Sequence, residues 1–260
     1  MLKVDTVRTN GLEMKYMSFG HGSRNFIVLP GLSVQHITPL AEQIAAQYRS
    51  FTEDYTVYLF DRRENLPAVY PTEDMARDTY AAMQALGIAK ADFFGVSQGG
   101  MIAISLAVQF PDAVGKLVLG SASDELSETF RASCNVWLDF AEKGDSAGLS
   151  LAFAKRLYSD AVLEQKHDLF ASQRYEKEDF ARFIILTESI LMFDLRDVSP
   201  HLSCPTLVLG SADDRVLGPD AAPNLAKRAR AELFLYGAPY GHAVYDEAPD
   251  FLARVKAFLA

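Results

Sequence analysis

The chain has few of the residues and patterns that mark several common protein classes. It has only two cysteines, Cys134 and Cys204, far apart along 260 residues. We therefore expect no disulfide framework and a reducing, cytoplasmic compartment. The 25 basic residues are outnumbered by 34 acidic ones, and no cluster of lysine and arginine interleaved with aromatics occurs. A nucleic-acid partner is not expected from this charge pattern.

Long apolar runs and cofactor motifs are missing as well. No stretch approaches the roughly 20 apolar residues that cross a bilayer, and residues 1–22 contain neither a basic start nor an apolar run, so we expect no membrane association or export. The chain has no phosphate loop ending in Lys-Ser or Lys-Thr, no dinucleotide-type glycine pattern and no histidine pair at metal-ligand spacing. We expect a small-molecule substrate, no cofactor and no metal, while the oligomeric state stays open.

The hydrophobic pattern predicts an α/β fold. Segments 3–9 and 12–19 alternate and flank Asn10-Gly11, which indicates a hairpin at a sheet edge. Short apolar runs without alternation, typical of strands buried on both faces, follow at 26–29, 56–60, 92–96, 116–119, 206–209 and 232–236. Helical patterns lie between them, which predicts a mostly parallel, twisted sheet of about eight strands with helices on both faces.

One region lacks strand signals. Residues 125–199 carry aromatics at helical spacings, and we expect a helical lid, or cap, inserted over the carboxyl ends of the strands. The core would then comprise residues 1–124 and 200–260. Most of these aromatics are expected to pack the insertion onto the core, whereas Trp137 is a candidate for contact with a substrate.

The most informative local pattern surrounds Ser97. A short apolar strand leads into Gly95-Val96-Ser97-Gln98-Gly99 and then into an apolar helical stretch, which is the sequence form of a nucleophile elbow. Glycine is needed two residues on either side because side chains there would collide with the strand and helix. Ser97 is therefore the candidate nucleophile.

A serine hydroxyl needs a base within hydrogen-bond reach. Of the five histidines, His242 directly follows the last predicted strand, where catalytic groups of parallel sheets collect, and it is the candidate base. His36 follows the first buried strand and could border the site without acting as the base.

The base needs an acid that orients it. The loop after segment 206–209 contains Asp213, which we choose, and Asp214, which could exchange roles with it. Asp124, after the preceding strand, is a third possibility.

Attack on a carbonyl also requires two backbone N–H groups for the developing negative charge. The amide of Gln98, at the positive end of its helix, is one candidate donor. The amide of Leu32, in the loop Leu29-Pro30-Gly31-Leu32, is the other.

These motifs together resemble the α/β-hydrolase fold superfamily, specifically its lid-bearing, cofactor-free branch. The resemblance rests on segments 29–32, 95–100, 204–213 and 241–242 and covers essentially the whole chain. It implies a triad of Ser97, Asp213 and His242 beneath a helical cap, but no particular substrate.

Two segments depart from the family pattern. Pro30-Gly31 stands where the family usually has His-Gly before the oxyanion donor. The turn after segment 56–60 reads Asp61-Arg62-Arg63-Glu64-Asn65-Leu66, without the glycines of the family's Asp-x-Arg-Gly-x-Gly turn. We expect that loop to run a different course and to alter one pocket wall.

The leading hypothesis is a serine hydrolase that cleaves a small, partly apolar ester, thioester or lactone through an acyl-enzyme on Ser97. An acyltransferase or carbon–carbon bond hydrolase using the same triad is an alternative within enzymes. A ligand-binding or signalling protein that retains the triad is the alternative from another class.

Overall fold

A computed structural model describes all 260 residues and contains one eight-stranded sheet. The strands are β1 Lys3–Thr9, β2 Leu12–Gly20, β3 Arg24–Leu29, β4 Tyr55–Arg63, β5 Ala91–Val96, β6 Val114–Gly120, β7 Thr206–Ser211 and β8 Glu232–Tyr236. The helices are α1 Ala41–Gln47, α2 Thr72–Ala85, α3 Gln98–Gln109, α4 Glu128–Glu142, α5 Ser146–Leu157, α6 Asp160–Ala171, α7 Lys177–Leu191, α8 Ala221–Ala229, α9 Val244–Glu247 and α10 Phe251–Leu259.

The strand order is β1-β2-β4-β3-β5-β6-β7-β8. The first two pairings along this order, β1 with β2 and β2 with β4, are antiparallel, and the other five are parallel. Asn10 and Gly11 both have positive φ, which suits the two-residue turn between Thr9 and Leu12. The predicted fold class, a mostly parallel sheet of about eight strands, is confirmed.

Each face of the sheet is covered by its own hydrophobic cluster. Along β3, Phe26 and Val28 belong to one cluster and Ile27 and Leu29 to the other, because successive side chains of a strand point to opposite faces. Helices α2 and α3 contribute to the second cluster, and α1 and α10 to the first. Burial on both faces explains why the central strands read as continuous apolar runs.

Four helices, α4 to α7, lie between β6 and β7, and we call residues 128–191 the helical segment. No strand interrupts it. Buried aromatics of this segment join the core cluster that also contains α3, and they include Phe130, Trp137 and Phe183. The segment is therefore packed on the sheet side that carries the elbow helix α3.

None of the helices combines the length and the apolar composition needed to cross a bilayer.

Candidate active site

Ser97 occupies the sharp turn between β5 and α3. Its backbone has φ 52° and ψ −120°, a conformation that non-glycine residues rarely adopt. Such backbone strain is found mainly at functional sites. A Cβ on Gly95 would lie 2.6 Å from the carbonyl oxygen of Gly99, and a Cβ on Gly99 would collide with the carbonyl oxygen of Leu29. The close approach of strand, turn and helix thus explains both glycines of the motif.

His242 lies in the loop between β8 and α9 and is almost fully buried. Its Nδ1 is 2.8 Å from Oδ2 of Asp214, which is also buried. The other oxygen, Oδ1, accepts hydrogen bonds of 2.8 Å from the backbone amides of Val216 and Leu217. An ionised carboxylate can only accept, so Nδ1 carries the proton and Nε2 is left free as an acceptor.

The structure corrects the predicted acid: the partner of His242 is Asp214, and Asp213 is not. Asp213 is exposed, and only its backbone amide is fixed locally, by a hydrogen bond of 3.1 Å to Oγ of Ser211. Asp214 turns inward because its carboxylate closes the following turn through the amides of Val216 and Leu217.

Asp124, the third candidate, serves another contact. It is fully buried and paired with the guanidinium of Arg228, and Ser199 Oγ donates to its Oδ2 at 2.6 Å. This pairing connects the loop after β6 to α8. Asp124 is therefore not the carboxylate that contacts His242, and Asp214 is.

Ser97 and His242 line one pocket, but no hydrogen bond joins their side chains in this structure. Long or absent bonds between catalytic groups are common in unliganded enzymes and tighten when substrate binds. Both side chains nevertheless face the same pocket.

The segments that carry the two candidate oxyanion donors also converge on Ser97. Gln98 is the first residue of α3, where backbone amides have no acceptor within the helix. Gly31 and Leu32 line the pocket beside Ser97, and a Cβ on Gly31 would lie 3.2 Å from the Cβ of Ser97. This distance is tighter than most contacts of a Cβ atom, so a side chain at position 31 would require the loop or Ser97 to shift by a few tenths of an ångström.

Most of the pocket wall is apolar. The helical segment contributes Phe130, Trp137, Phe153, Leu157 and Ile190 to it. Trp137 is 2% exposed, and its indole Nε1 is buried without a hydrogen-bond partner.

A groove of about 850 Å³ adjoins the pocket. The two share Gly31, Leu32, Phe153, Leu157 and Tyr245. Predicted residue His36 lines the groove and not the pocket at Ser97. No lysine or arginine lines either of them.

No three His, Cys, Asp or Glu side chains come together as a potential metal site.

A family model described as "alpha/beta hydrolase fold" matches residues 26–249, which is most of the chain. The chain belongs to the α/β hydrolase fold family.

Relatives of this α/β hydrolase have several named activities. It is 27% identical over 218 residues to a protein of Stutzerimonas stutzeri named "Putative carbamate hydrolase RutD", covering 78% of this chain and 81% of that protein. It is 21% identical over 222 residues to 3-oxoadipate enol-lactonase 2 of Acinetobacter baylyi, covering 82% and 80%.

Solved structures of similar proteins share the fold over nearly the whole chain. An α/β hydrolase enzyme from a Medee basin deep-sea metagenome library superposes with a TM-score of 0.88 at 20% identity, covering 98% of this chain and 97% of that one. The enol-lactonase from Burkholderia xenovorans superposes with a TM-score of 0.82 at 23% identity, covering 98% and 99%.

The hydrolase fold here holds a buried polar cluster that the sequence did not predict. Asp61 accepts hydrogen bonds from Nη2 of Arg182 at 2.6 Å, from Nδ1 of His36 at 2.9 Å and from the amide of Ile37 at 3.0 Å. Burial raises the pKa of Asp61, but the bond from His36 and the charge of Arg182 outweigh it, so the pKa lies below its ordinary value. The missing glycines in the turn 61–66 were the available signal that this loop differs, but nothing in the sequence pointed to Arg182 of α7 as the partner of Asp61.

Proposed function

We propose that this chain is a serine hydrolase that cleaves a small, partly apolar ester, thioester or lactone through an acyl-enzyme on Ser97. One observation carries the proposal: a serine in a strained elbow and a histidine oriented by a buried aspartate line the same pocket. Membership of the α/β hydrolase fold family and the hydrolase names of the relatives support it.

The chemistry follows from the tautomer of His242. Its Nδ1 donates to Asp214, so Nε2 removes the Ser97 proton as Oγ attacks the substrate carbonyl, and Asp214 stabilises the imidazolium that forms. The amides of Leu32 and Gln98 hold the oxyanion. His242 then protonates the leaving group, and water, activated by the same nitrogen, releases the acyl group.

The walls of the pocket favour an uncharged acyl group. Seven of its ten lining residues are hydrophobic, and no lysine or arginine faces the pocket or the adjoining groove. A substrate carboxylate would lose its hydration there without gaining a cation. The unpaired Nε1 of Trp137 offers one hydrogen bond to an oxygen acceptor on the substrate.

The adjoining groove suits the remainder of the substrate. It meets the pocket at Gly31 and Leu32, the loop of the candidate oxyanion donor, and His36 lies along it. We assign His36 to the outer part of the substrate site, while the helical segment forms a lid over the pocket. The two free cysteines support a reducing, cytoplasmic location.

Turnover of short-chain p-nitrophenyl esters tests the proposal. The wild-type chain is expected to release p-nitrophenol continuously, and Ser97→Ala is expected to reduce the rate by a factor of about 10⁴ or more. Addition of a thiol or alcohol acceptor separates hydrolysis from acyl transfer, because a transferase would make the acceptor ester in preference to the free acid. Equal turnover by Ser97→Ala would end the proposal.

A further inference from the structure

Two charged side chains, Arg62 and Arg182, are buried behind the candidate oxyanion hole. They are 4% and 8% exposed. Burying a guanidinium is costly unless hydrogen bonds replace its hydration, so such a residue is best understood from its contacts. Burial lowers the pKa of Arg62 to about 10, with Asp61 opposing that shift, and the side chain stays charged at neutral pH.

Arg62 contacts both segments that carry the candidate oxyanion donors. Its Nη2 donates to the carbonyl oxygen of Pro30 at 2.8 Å and to the side-chain Oε1 of Gln98 at 3.2 Å. Pro30 lies two residues before Leu32, and Gln98 itself provides the second amide. One guanidinium thus bridges the two halves of the hole.

The contact with Pro30 restrains a flexible part of the loop. The carbonyl of Pro30 and the amide of Gly31 belong to one planar peptide unit, so fixing the oxygen fixes the plane. Glycine at 31 lets the loop approach Ser97 closely, and the lack of a side chain also leaves its backbone angles less restricted. The hydrogen bond to Arg62 limits that freedom where Leu32 N–H must be aimed.

The contact with Gln98 extends to the helical segment. Because Arg62 can only donate, Oε1 of Gln98 faces it, and Nε2 points the other way. Nε2 donates to the carbonyl oxygen of Leu186 at 2.8 Å and to Oγ of Ser189 at 3.0 Å, both in α7. Arg182 of the same helix pairs with Asp61, the neighbour of Arg62.

We propose that Arg62 is a positioning residue for the oxyanion hole, which holds the Pro30-Gly31 peptide and the Gln98 side chain in register and connects both to helix α7. The inference rests on the proposed function and adds to it. The contact between Arg62 and the carbonyl of Pro30 joins the two segments in which the chain departs from the family pattern, the turn after β4 and the loop after β3.

The test compares Arg62→Met with Arg63→Met. Methionine keeps the apolar part of the side chain and removes the donors, and Arg63 is a matched control because it contacts Asp78 and Gly11 instead. With a p-nitrophenyl ester, Arg62→Met is expected to lower kcat roughly tenfold to hundredfold with KM within about twofold, because misplaced oxyanion donors act on the transition state. Arg63→Met is expected to stay within about twofold of wild type.

A transition-state analogue separates positioning from a general loss of structure. A trifluoromethyl ketone forms a tetrahedral adduct on the serine, and its Ki is expected to rise in Arg62→Met by the same factor by which kcat/KM falls. Arg62→Lys is expected to recover less than half of the rate lost in Arg62→Met, measured on a logarithmic scale, since one ammonium cannot reproduce the guanidinium geometry. A kcat within twofold of wild type, or a loss confined to KM, would overturn the inference.

A second variant covers the case in which Arg62→Met does not fold. Gln98→Met keeps the backbone amide but removes the acceptor for Arg62 and the bonds to α7, and it is expected to lower kcat at least fivefold. When both single variants fold, the double variant Arg62→Met/Gln98→Met is expected to have a kcat little lower than that of the less active single variant. The reason is that the two residues act through one contact. Wild-type kcat in Gln98→Met would contradict the proposal.

Labelling at Ser97 by a fluorophosphonate, measured in the same variants, distinguishes a failure of the role of Arg62 from a failure of the proposed hydrolase activity. Labelling of wild type that slows about tenfold in Arg62→Met supports the inference even where ester turnover is weak, and an unchanged labelling rate overturns it. A wild-type chain that is neither labelled nor active contradicts the proposed function itself, and the inference falls with it.

Discussion

The carboxylate of Asp214 lies 2.8 Å from Nδ1 of His242, and both side chains are buried at the carboxyl end of the parallel strands. The neighbouring Asp213 is exposed. Of two adjacent aspartates in the loop after β7, only the second therefore orients the imidazole of His242.

Exchange of each aspartate for asparagine tests this assignment. Asp214→Asn keeps the shape but removes the charge and favours the wrong tautomer of His242, so kcat is expected to fall by a factor of about 10⁴. Asp213→Asn is the matched control and is expected to stay within about twofold of wild type. Steady-state kinetics with one p-nitrophenyl ester measures both, and a larger loss in Asp213→Asn would reverse the assignment.

The free donor of Trp137 predicts a substrate preference. Trp137→Phe keeps an aromatic ring in the pocket but removes Nε1–H. The kcat/KM ratio of a p-nitrophenyl methoxyacetate to the isosteric butyrate is expected to fall roughly threefold to tenfold in the variant, which corresponds to the net value of one hydrogen bond. Using the ratio cancels any general effect of the smaller ring, and an unchanged ratio would show that the donor does not contact the acyl group.

The lowered pKa of Asp61 predicts that the free energy of unfolding depends on pH in the acidic range. Its pKa is lowered in the folded state, so its contribution is present above the unfolded value, near 3.8, and is lost as the pH falls through the lower folded value. At pH 7, Asp61→Asn leaves Arg182 without its anion and is expected to cost about 3–5 kcal/mol.

Urea unfolding at pH 7 and at pH 3 measures this difference. The gap in unfolding free energy between wild type and Asp61→Asn is expected to narrow at the lower pH. Asp112→Asn, at an exposed position in the turn after α3 where the carboxylate has no ion-pair partner, serves as the control and should match wild type at both pH values. A gap that is constant with pH would show that Asp61 does not contribute through its charge.

The two cysteines are expected to differ in reactivity. Cys134 is fully buried, and burial raises the pKa of its thiol to about 12, whereas Cys204 is half-buried. Since the thiolate is the reactive form, iodoacetamide at pH 8 should modify Cys204 first and Cys134 only after unfolding. Mass spectrometry of wild type and Cys204→Ser checks the order, and early alkylation of Cys134 would contradict its placement in the core.

Local patterns were sufficient to predict the sheet. The apolar runs at 92–96 and 206–209 fall within β5 and β7, and Asn10-Gly11 forms the hairpin turn. These features depend on periodicity and on turn chemistry, which neighbouring residues determine. The placement of Ser97 in a positive-φ turn likewise follows from the glycines around it.

Contacts between distant segments could not be predicted in this way. The choice of Asp214 over Asp213 depends on how the loop after β7 closes onto the amides of Val216 and Leu217. The cluster around Asp61 depends on Arg182, which lies 121 residues away and reaches Asp61 only because α7 packs against this end of the sheet.

The two residues predicted to contact a substrate lie in different cavities, and this too depends on contacts between distant segments. Trp137, on α4, lines the pocket at Ser97, whereas His36 is held by Asp61 and lines the adjoining groove. The sequence identified both residues as candidates but carried no information about which would line the pocket at Ser97 and which the groove beside it.

Covalent labelling of Ser97 tests the central claim most directly. The purified chain and its Ser97→Ala variant are treated with a fluorophosphonate, and intact mass followed by peptide mapping locates any adduct. The account predicts one adduct per wild-type chain, on the peptide containing Ser97, and none in the variant. An unlabelled wild-type chain, or an adduct that persists in Ser97→Ala, would contradict it.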